Sequence, residues 1–385
     1  MRRSTEKILS THVGALPGPL DTWEGVASDG ALRSAVDEVV TAQLAAGTDI
    51  VNEGELTKGG NWVTFINSRL SGFEGVPAEG TVALLRSSLD WQEFDDFYSK
   101  AMAGGTLFEQ TASTPVQTSR IRDWVCRAPI EYTGQAALQR EIDLLKAALG
   151  KHSVGDAFLT STAPASVEVG RRNEYYDSEE EFLYGLADAL KVEYEMIAKA
   201  GLLVQVDDAW LPALWDRIGV QMGLAAYQRY CMLRVEALNH ALANVPPQQV
   251  RYHLCWGSWH GPHAHDIPLA DMVEIMLAVN AQTYLFEAAN ARHEHEYLLW
   301  ERVNLPKDKI LAPGVVSHST PLIEHPELVS LRIQRFAKLV GRENVIASTD
   351  CGLGLRCHPQ IAWAKLKALT DGAALASRAL GYGSG

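Results

Sequence analysis

Short runs of β-branched and apolar residues alternate along this chain with longer stretches whose apolar positions recur every three or four residues. Runs of the first kind read as buried strands and stretches of the second kind as amphipathic helices. Eight runs predict strands: residues 8–13, 49–52, 157–160, 202–206, 250–255, 283–286, 310–316 and 344–348. Between them, SEEEFLYGLADALKVEYEMIAKAG, GLAAYQRYCMLRVEALNHAL, LADMVEIMLAV and HPELVSLRIQRFAKLVG carry helical spacing. Gly or Asn follows several of the last helical positions, as a C-cap requires, and Pro326 stands at a helix start, where a missing N–H costs little. Eight strands alternating with helices predict an α/β fold with a parallel sheet, and eight is the number that closes a (β/α)8 TIM barrel. An open doubly wound sheet competes, but no Gly-rich dinucleotide fingerprint follows any strand.

One region breaks the alternation. Residues 58–150 are too long for a single strand-to-helix connection, so one barrel over 1–385 is expected to carry an insertion there, after the second strand. Helices and a small hairpin near the barrel mouth are expected in it. The terminal GYGSG reads as a frayed end.

Composition narrows the function classes. The chain has 385 residues, 47% hydrophobic and 21% charged, with a net charge of −13. A basic footprint for nucleic acid is absent. No apolar run approaches the roughly 20 residues that span a bilayer, and MRRSTEKILSTHVG lacks the apolar core of a signal peptide. Five cysteines, an odd number in a long chain, argue against a disulfide framework and for a reducing, cytoplasmic setting. The expected partners are small molecules, with neither nucleic acid nor membrane, and the insertion offers a surface for self-association into a homo-oligomer.

The candidate chemistry collects where the predicted strands end. In a closed barrel those ends share one face, the face that holds active sites. There stand His12, Glu55, Asp207, His253, Cys255, Glu287, His318, Asp350 and Cys351. His253 and Cys255 are two apart, so on a strand they point the same way. Two thiols, an imidazole and a carboxylate, from His253, Cys255, Glu287 and Cys351, make a zinc set distributed over three strands. Each taken alone has a plainer reading: a strand cysteine is a small buried hydrophobe, and a strand-end histidine a hydrogen-bonded structural residue. Their joint placement favours the metal. Cys126, Cys231 and Cys357 lack such company. The histidines of WHGPHAHD and ARHEHE read as support for the ligands rather than a second metal site.

These stretches together resemble one family. THVGALPGP, IVNEGELTKG, LLVQVDDAW, YHLCWGSWHGPHAHDIPLADM, FEAANARHEHE, PGVVSHSTPLIEHPE and STDCGLGLR are similar, in order and spacing, to the catalytic barrel of cobalamin-independent methionine synthase and to single-barrel members of its superfamily. The resemblance implies a zinc-dependent methyltransferase or alkyltransferase in which Zn2+ bound by His253, Cys255, Glu287 and Cys351 activates a substrate thiol, homocysteine-like, for attack on an alkyl group. It implies that Glu55 binds the substrate amino group, that Asp207, matching the family's Ile-Asp-Glu-Pro aspartate, helps Glu55 orient a cationic part of the substrate, that His12 and Gly14 lie in the substrate site, and that His318 donates a proton. The chain departs from the family pattern at Val13-Gly14-Ala15 (Ile-Gly-Ser), at Asp207-Asp208-Ala209 (Asp-Glu-Pro), and at TSTAPASVE, which lacks the tryptophan associated with folate. Transfer of another alkyl group, as in epoxide opening with coenzyme M, a metal-free decarboxylase-like barrel, and a non-catalytic zinc-binding protein are the competing readings.

Overall fold

The computed structural model describes residues 1–59, 63–107 and 122–383. In chain order its strands are β1 (Leu9–Ser10), β2 (Ile50–Val51), β3 (Phe73–Pro77), β4 (Arg122–Cys126), β5 (Asp156–Thr162), β6 (Arg171–Asn173), β7 (Leu203–Asp208), β8 (Val250–Leu254), β9 (Thr283–Phe286), β10 (Ile310–Val316) and β11 (Ile346–Thr349). Eight of them form one parallel sheet in the order β1-β11-β10-β9-β8-β7-β5-β2. The two end strands meet through the Asp49 N–H, which donates to the Ser10 carbonyl at 3.1 Å, and the Thr11 hydroxyl, which donates to the Ile50 carbonyl at 3.1 Å. The sheet is thus a nearly closed (β/α)8 barrel, built from the eight strands the alternation predicts. β1 and β2 are shorter than expected because side chains take over from the ladder: Asn52 N–H donates to Gln43 Oε1 at 3.0 Å instead of to a neighbouring strand.

The outer ring follows from the same patterning. Its helices Asp29–Ala46, Gln135–Leu149, Glu179–Lys199, Leu224–Ala241, Leu269–Leu277, Pro326–Val340 and Pro359–Ala379 follow the strands in turn, and a 3-10 stretch, Glu294–Glu301, takes the place after β9. Ser28 and Ser178 cap two of them by accepting from the N–H groups of Ala31 and Glu181. Two others start on a His-Pro pair. The Nδ1 of His325 and of His358 accepts from the N–H two residues on, and the proline supplies the fixed φ of a first helical position.

Two apolar layers result. A small cluster fills the barrel itself, including Leu9, Val13, Phe158, Leu285 and Ile310. A much larger one lies between strands and helices. Burying a side chain such as Phe158 stabilises by about 1.5–3 kcal/mol. Arg251 also lies inside the barrel, 3.7 Å above the Phe158 ring, donating to Thr11 Oγ1 and the His12 carbonyl.

The stretch expected as an insertion contains residues 60–62 and 108–121, which lie outside the described residues. Its described part holds β3 and β4, paired antiparallel, and the helices Glu79–Arg86, Leu89–Glu93 and Asp95–Gly104. β6, which follows β5 in the chain, adds to β4 in parallel. A separate small core of Leu85, Trp91, Tyr98, Ala101, Leu107, Ala213 and Trp259 holds these helices against the barrel loops. At its base Arg69 bonds Glu141 and Glu193, and the Tyr132 hydroxyl joins Glu193. All four side chains are buried, so loss of Arg69 would leave Glu193 a buried charge without its cation. Of the tail, Ser384 and Gly385 are outside the described residues.

Candidate active site

The register of two strands builds the first half of the site. β7 and β8 run parallel with Asp207 opposite His253. Both side chains point into the barrel, and Asp207 Oδ1 lies 2.7 Å from His253 Nδ1. Gln205 Nε2 donates to the same Asp207 oxygen at 2.9 Å. With Nδ1–H given to the carboxylate, Nε2 is the ring atom left with a lone pair, and it is buried without a hydrogen-bond partner among the described residues. Burial opposes a charge on His253, but the Asp207 carboxylate outweighs it and lifts the ring's pKa above its ordinary value.

Cys255 follows β8 on the same side, and Cys351 follows β11 across the mouth. Their sulfurs are 3.9 Å apart. The His253, Cys255 and Cys351 donor atoms all lie within 4.8 Å of one another. Two sulfurs bound to one tetrahedral zinc at about 2.3 Å would sit about 3.8 Å apart. The orphaned Nε2 and the sulfur spacing are therefore the arrangement a zinc ion needs. The sulfur–sulfur hydrogen bond, with burial added, pushes the Cys255 thiol well above its ordinary pKa. The same bond, helped by His253 and Arg356 against burial, brings Cys351 down to about 6. Gly257 N–H and the Ser258 hydroxyl approach Cys255 Sγ at 3.3 and 3.2 Å.

Glu287 stands at the edge of this trio. Its Oε1 is 3.5 Å from Cys255 Sγ and accepts the Trp256 N–H at 3.1 Å, while Oε2 accepts from Asn290 at 2.6 Å. Asp350 ties its loop to β11: Oδ1 accepts from the N–H groups of Ala288 and Ala289 at 2.8 and 2.9 Å. Gly314 makes that possible, since a Cβ there would meet Asp350 Oδ1 at 2.0 Å.

The other predicted residues divide. Glu55 and Asp207 line the same small cavity as the trio, about 60 Å3, with Val13, Ala15, Trp23 and Arg356. Glu55 is held at φ 61°, and a Cβ on Gly14 would meet its Oε1 at 2.3 Å, so glycine at 14 is what lets the carboxylate in. Burial, with Asp207 adding, raises Glu55 to about 8. His12 is not in the wall. Leu9 and Val13 join the apolar cluster inside the barrel, while the His12 ring packs 5.4 Å from the Phe158 ring with its Nε2 2.7 Å from Gln43 Oε1; burial drops it to about 3. His318 is buried just past β10, its Nδ1 without a partner among the described residues. Burial, then Arg356, His260, His263 and Lys365, hold it well below its ordinary value, so it is neutral at pH 7.

The histidine-rich loops pair with carboxylates. His263 and His293 both reach Asp266, and His293 also reaches Glu296 at 2.8 Å. Among the described residues only His253, Cys255 and Cys351 bring three such donors within metal-holding distance. All five cysteines are free thiols. Sequence reasoning missed Ser258, whose signal was the Gly-Ser turn after Cys255, and Arg356, which had none. No helix among the described residues is long and apolar enough to cross a membrane.

Comparison with known proteins bears on this site. Residues 171–374, just over half of the chain, match the family model described as the catalytic domain of cobalamin-independent synthase. A methionine synthase of Saccharolobus islandicus (strain L.S.2.15 / Lassen #1) is 25% identical over 94% of this chain and 93% of its own length. A methionine synthase of Thermococcus kodakarensis is 26% identical over 57% of each chain. A B12-independent methionine synthase from Shewanella sp. W3-18-1, solved in complex with selenomethionine, superposes with a TM-score of 0.70 over 97% of this chain and 99% of its own, at 17% identity.

Proposed function

The chain belongs to the family of cobalamin-independent synthase catalytic domains, and from that premise we propose that it is a zinc-dependent methyltransferase acting on a thiol. The carrying observation is the convergence of His253 Nε2, Cys255 Sγ and Cys351 Sγ within 4.8 Å. Those three residues would hold zinc, with Glu287 beside Cys255 as the group able to fill the remaining position. Bound there, zinc would lower the pKa of a substrate thiol from about 8.5 so that it is a thiolate at neutral pH while its sulfur stays nucleophilic.

The chain's own groups supply the rest. Asp207 fixes the tautomer of His253, which leaves Nε2 free to bind metal. Glu55 rests protonated at pH 7, and a substrate ammonium would draw it into the ionised form; that need for a cationic partner supports an aminothiol acceptor of the homocysteine type. His318, neutral at rest, enters turnover as a base. It can take the proton of the thiol and later return it to the leaving group, so its donor role follows from an acceptor role. In the transfer the thiolate electron pair forms the new S–C bond, the bond from carbon to the donor breaks toward the donor, and the donor gains the proton. The narrow cavity beside the trio keeps water from competing for the alkyl group.

The test is a panel of thiols (homocysteine, coenzyme M, glutathione, cysteine) added to purified, metal-analysed protein and read by zinc-edge absorption. Homocysteine is expected to add a sulfur to the zinc shell. A shell unchanged by all four thiols would refute the proposal.

A further inference from the structure

A second cavity of about 180 Å3 opens from the first, sharing Ala209, Gly257 and Arg356 with it. Its walls are built by the excursion between β2 and β5 and by the segments after β5, β7, β8 and β11. Trp91, Tyr98, Trp124, Trp210 and Trp259 line it, and Trp91 stacks on Tyr98 at 5.1 Å. The described lining residues include four arginines and no Asp or Glu. In a chain with 47 acidic and 34 basic residues that is a local reversal of charge.

The four arginines are not alike. Arg217 is neutralised by Asp216 at 2.6 Å and lies between Trp210 and Trp259. Arg356 donates to the Ser258 carbonyl at 2.7 Å. Arg171 and Arg122 have no carboxylate within ion-pair distance among the described residues. Arg171 donates from Nη1 to the Val167 carbonyl and from Nη2 to Asn67 Oδ1, and its Nε is buried with no partner. A guanidinium has five N–H donors, so among the described residues the group is under-used, its charge met by the Phe73 ring 5.2 Å away and by no carboxylate. Burial brings it down to about 9, the mark of a cation lacking its anion. A cavity of about 150 Å3 holds a benzene molecule, which sets the scale of what fits here.

We propose that this outer chamber binds the body of the alkyl donor, and that this body is a single-ring-sized apolar group carrying a carboxylate, the ring against the tryptophans and the carboxylate on Arg171 and Arg122. Its assignment to the donor rests on the thiol alkylation proposed above; the binding of a ring-bearing carboxylate does not.

Benzoate is the probe, titrated into the full chain and followed by tryptophan fluorescence and calorimetry. Saturable 1:1 binding is expected, with benzyl alcohol at least tenfold weaker. Arg171→Met should weaken benzoate at least tenfold and leave benzyl alcohol within about twofold; Arg122→Met, at an exposed strand position, should do the same to a smaller degree and serves if the first variant does not fold. Equal affinity for benzoate and benzyl alcohol, or unchanged benzoate binding in both variants, overturns the site. In cobalt-substituted protein the thiolate-to-metal band of a bound homocysteine should survive saturating benzoate. Mutual exclusion would show that the chamber belongs to the thiol and overturn the donor assignment. If no thiol binds the metal but benzoate still binds through Arg171, it is the alkylation reading that has failed, not the site.

Discussion

The two adjoining cavities are opposites in chemistry. The inner one is lined by two carboxylates, two thiols and an imidazole, with Arg356 its one cation among the described residues. The outer one is aromatic and arginine-rich with no acid in its described wall. The inner groups also hold one another: Asp207 holds His253, and Asp350 holds the loop of Glu287. Among the described residues the outer cations Arg171 and Arg122 have no carboxylate to hold. On the two readings proposed above, the site finished by its own residues takes a cation and sulfur, and the site with unspent donors takes an anion that arrives from solution.

The sharpest way to break this contrast is to remove a sulfur. Cys255→Ser or Cys351→Ser should lose most bound zinc and all thiol transfer, because a serine hydroxyl does not ionise to a competing ligand. Metal content by mass spectrometry checks this, and benzoate binding in the outer chamber should be unaffected. Stoichiometric zinc in both variants would mean that the inner cavity is not a metal site. A smaller effect is expected behind the ligands. Asp207→Asn keeps the shape but weakens the support of His253, and zinc affinity should fall by about 10–100-fold in a chelator competition.

The smallest expected effect is on stability. Glu55 is raised to about 8 and Glu53, by burial with Glu141 adding and Lys58 opposing, to about 7. Their unfolded values are near 4.5. The folded state therefore holds protons that the unfolded chain gives up. The contribution is complete below pH 4.5 and is lost as pH rises through 7 and 8. The melting temperature of metal-free protein should fall over that window, and Glu55→Gln should flatten the upper part of the fall. A slope unchanged by the substitution would place the buried proton elsewhere.

Much of the inner site was legible because it obeys local rules. Period-two alternation placed His253 and Cys255 on one side of β8, and strand ends share a face in a closed barrel. The same rule does not by itself place His12, which bonds Gln43 and packs on Phe158 rather than lining the small cavity. The family resemblance named Asp207 as a substrate group, and the structure adds its bond to His253, which depends on the β7–β8 register. His318 was placed at the right strand end, but its neutrality comes from burial and from Arg356, His260, His263 and Lys365, groups distant in sequence or contributed by other loops.

By itself the sequence determined the barrel, its eight strands and the donor atoms of His253, Cys255 and Cys351, since hydrophobic period and residue type are written locally. Only the tertiary structure decided the outer chamber. Trp91, Trp124 and Arg171 each look ordinary in their own segments, and their meaning depends on which charges and rings come within a few ångströms once β3, β4 and β6 close over the mouth. Electrostatic and packing energies are set by distance in space, and distance along the chain does not report it.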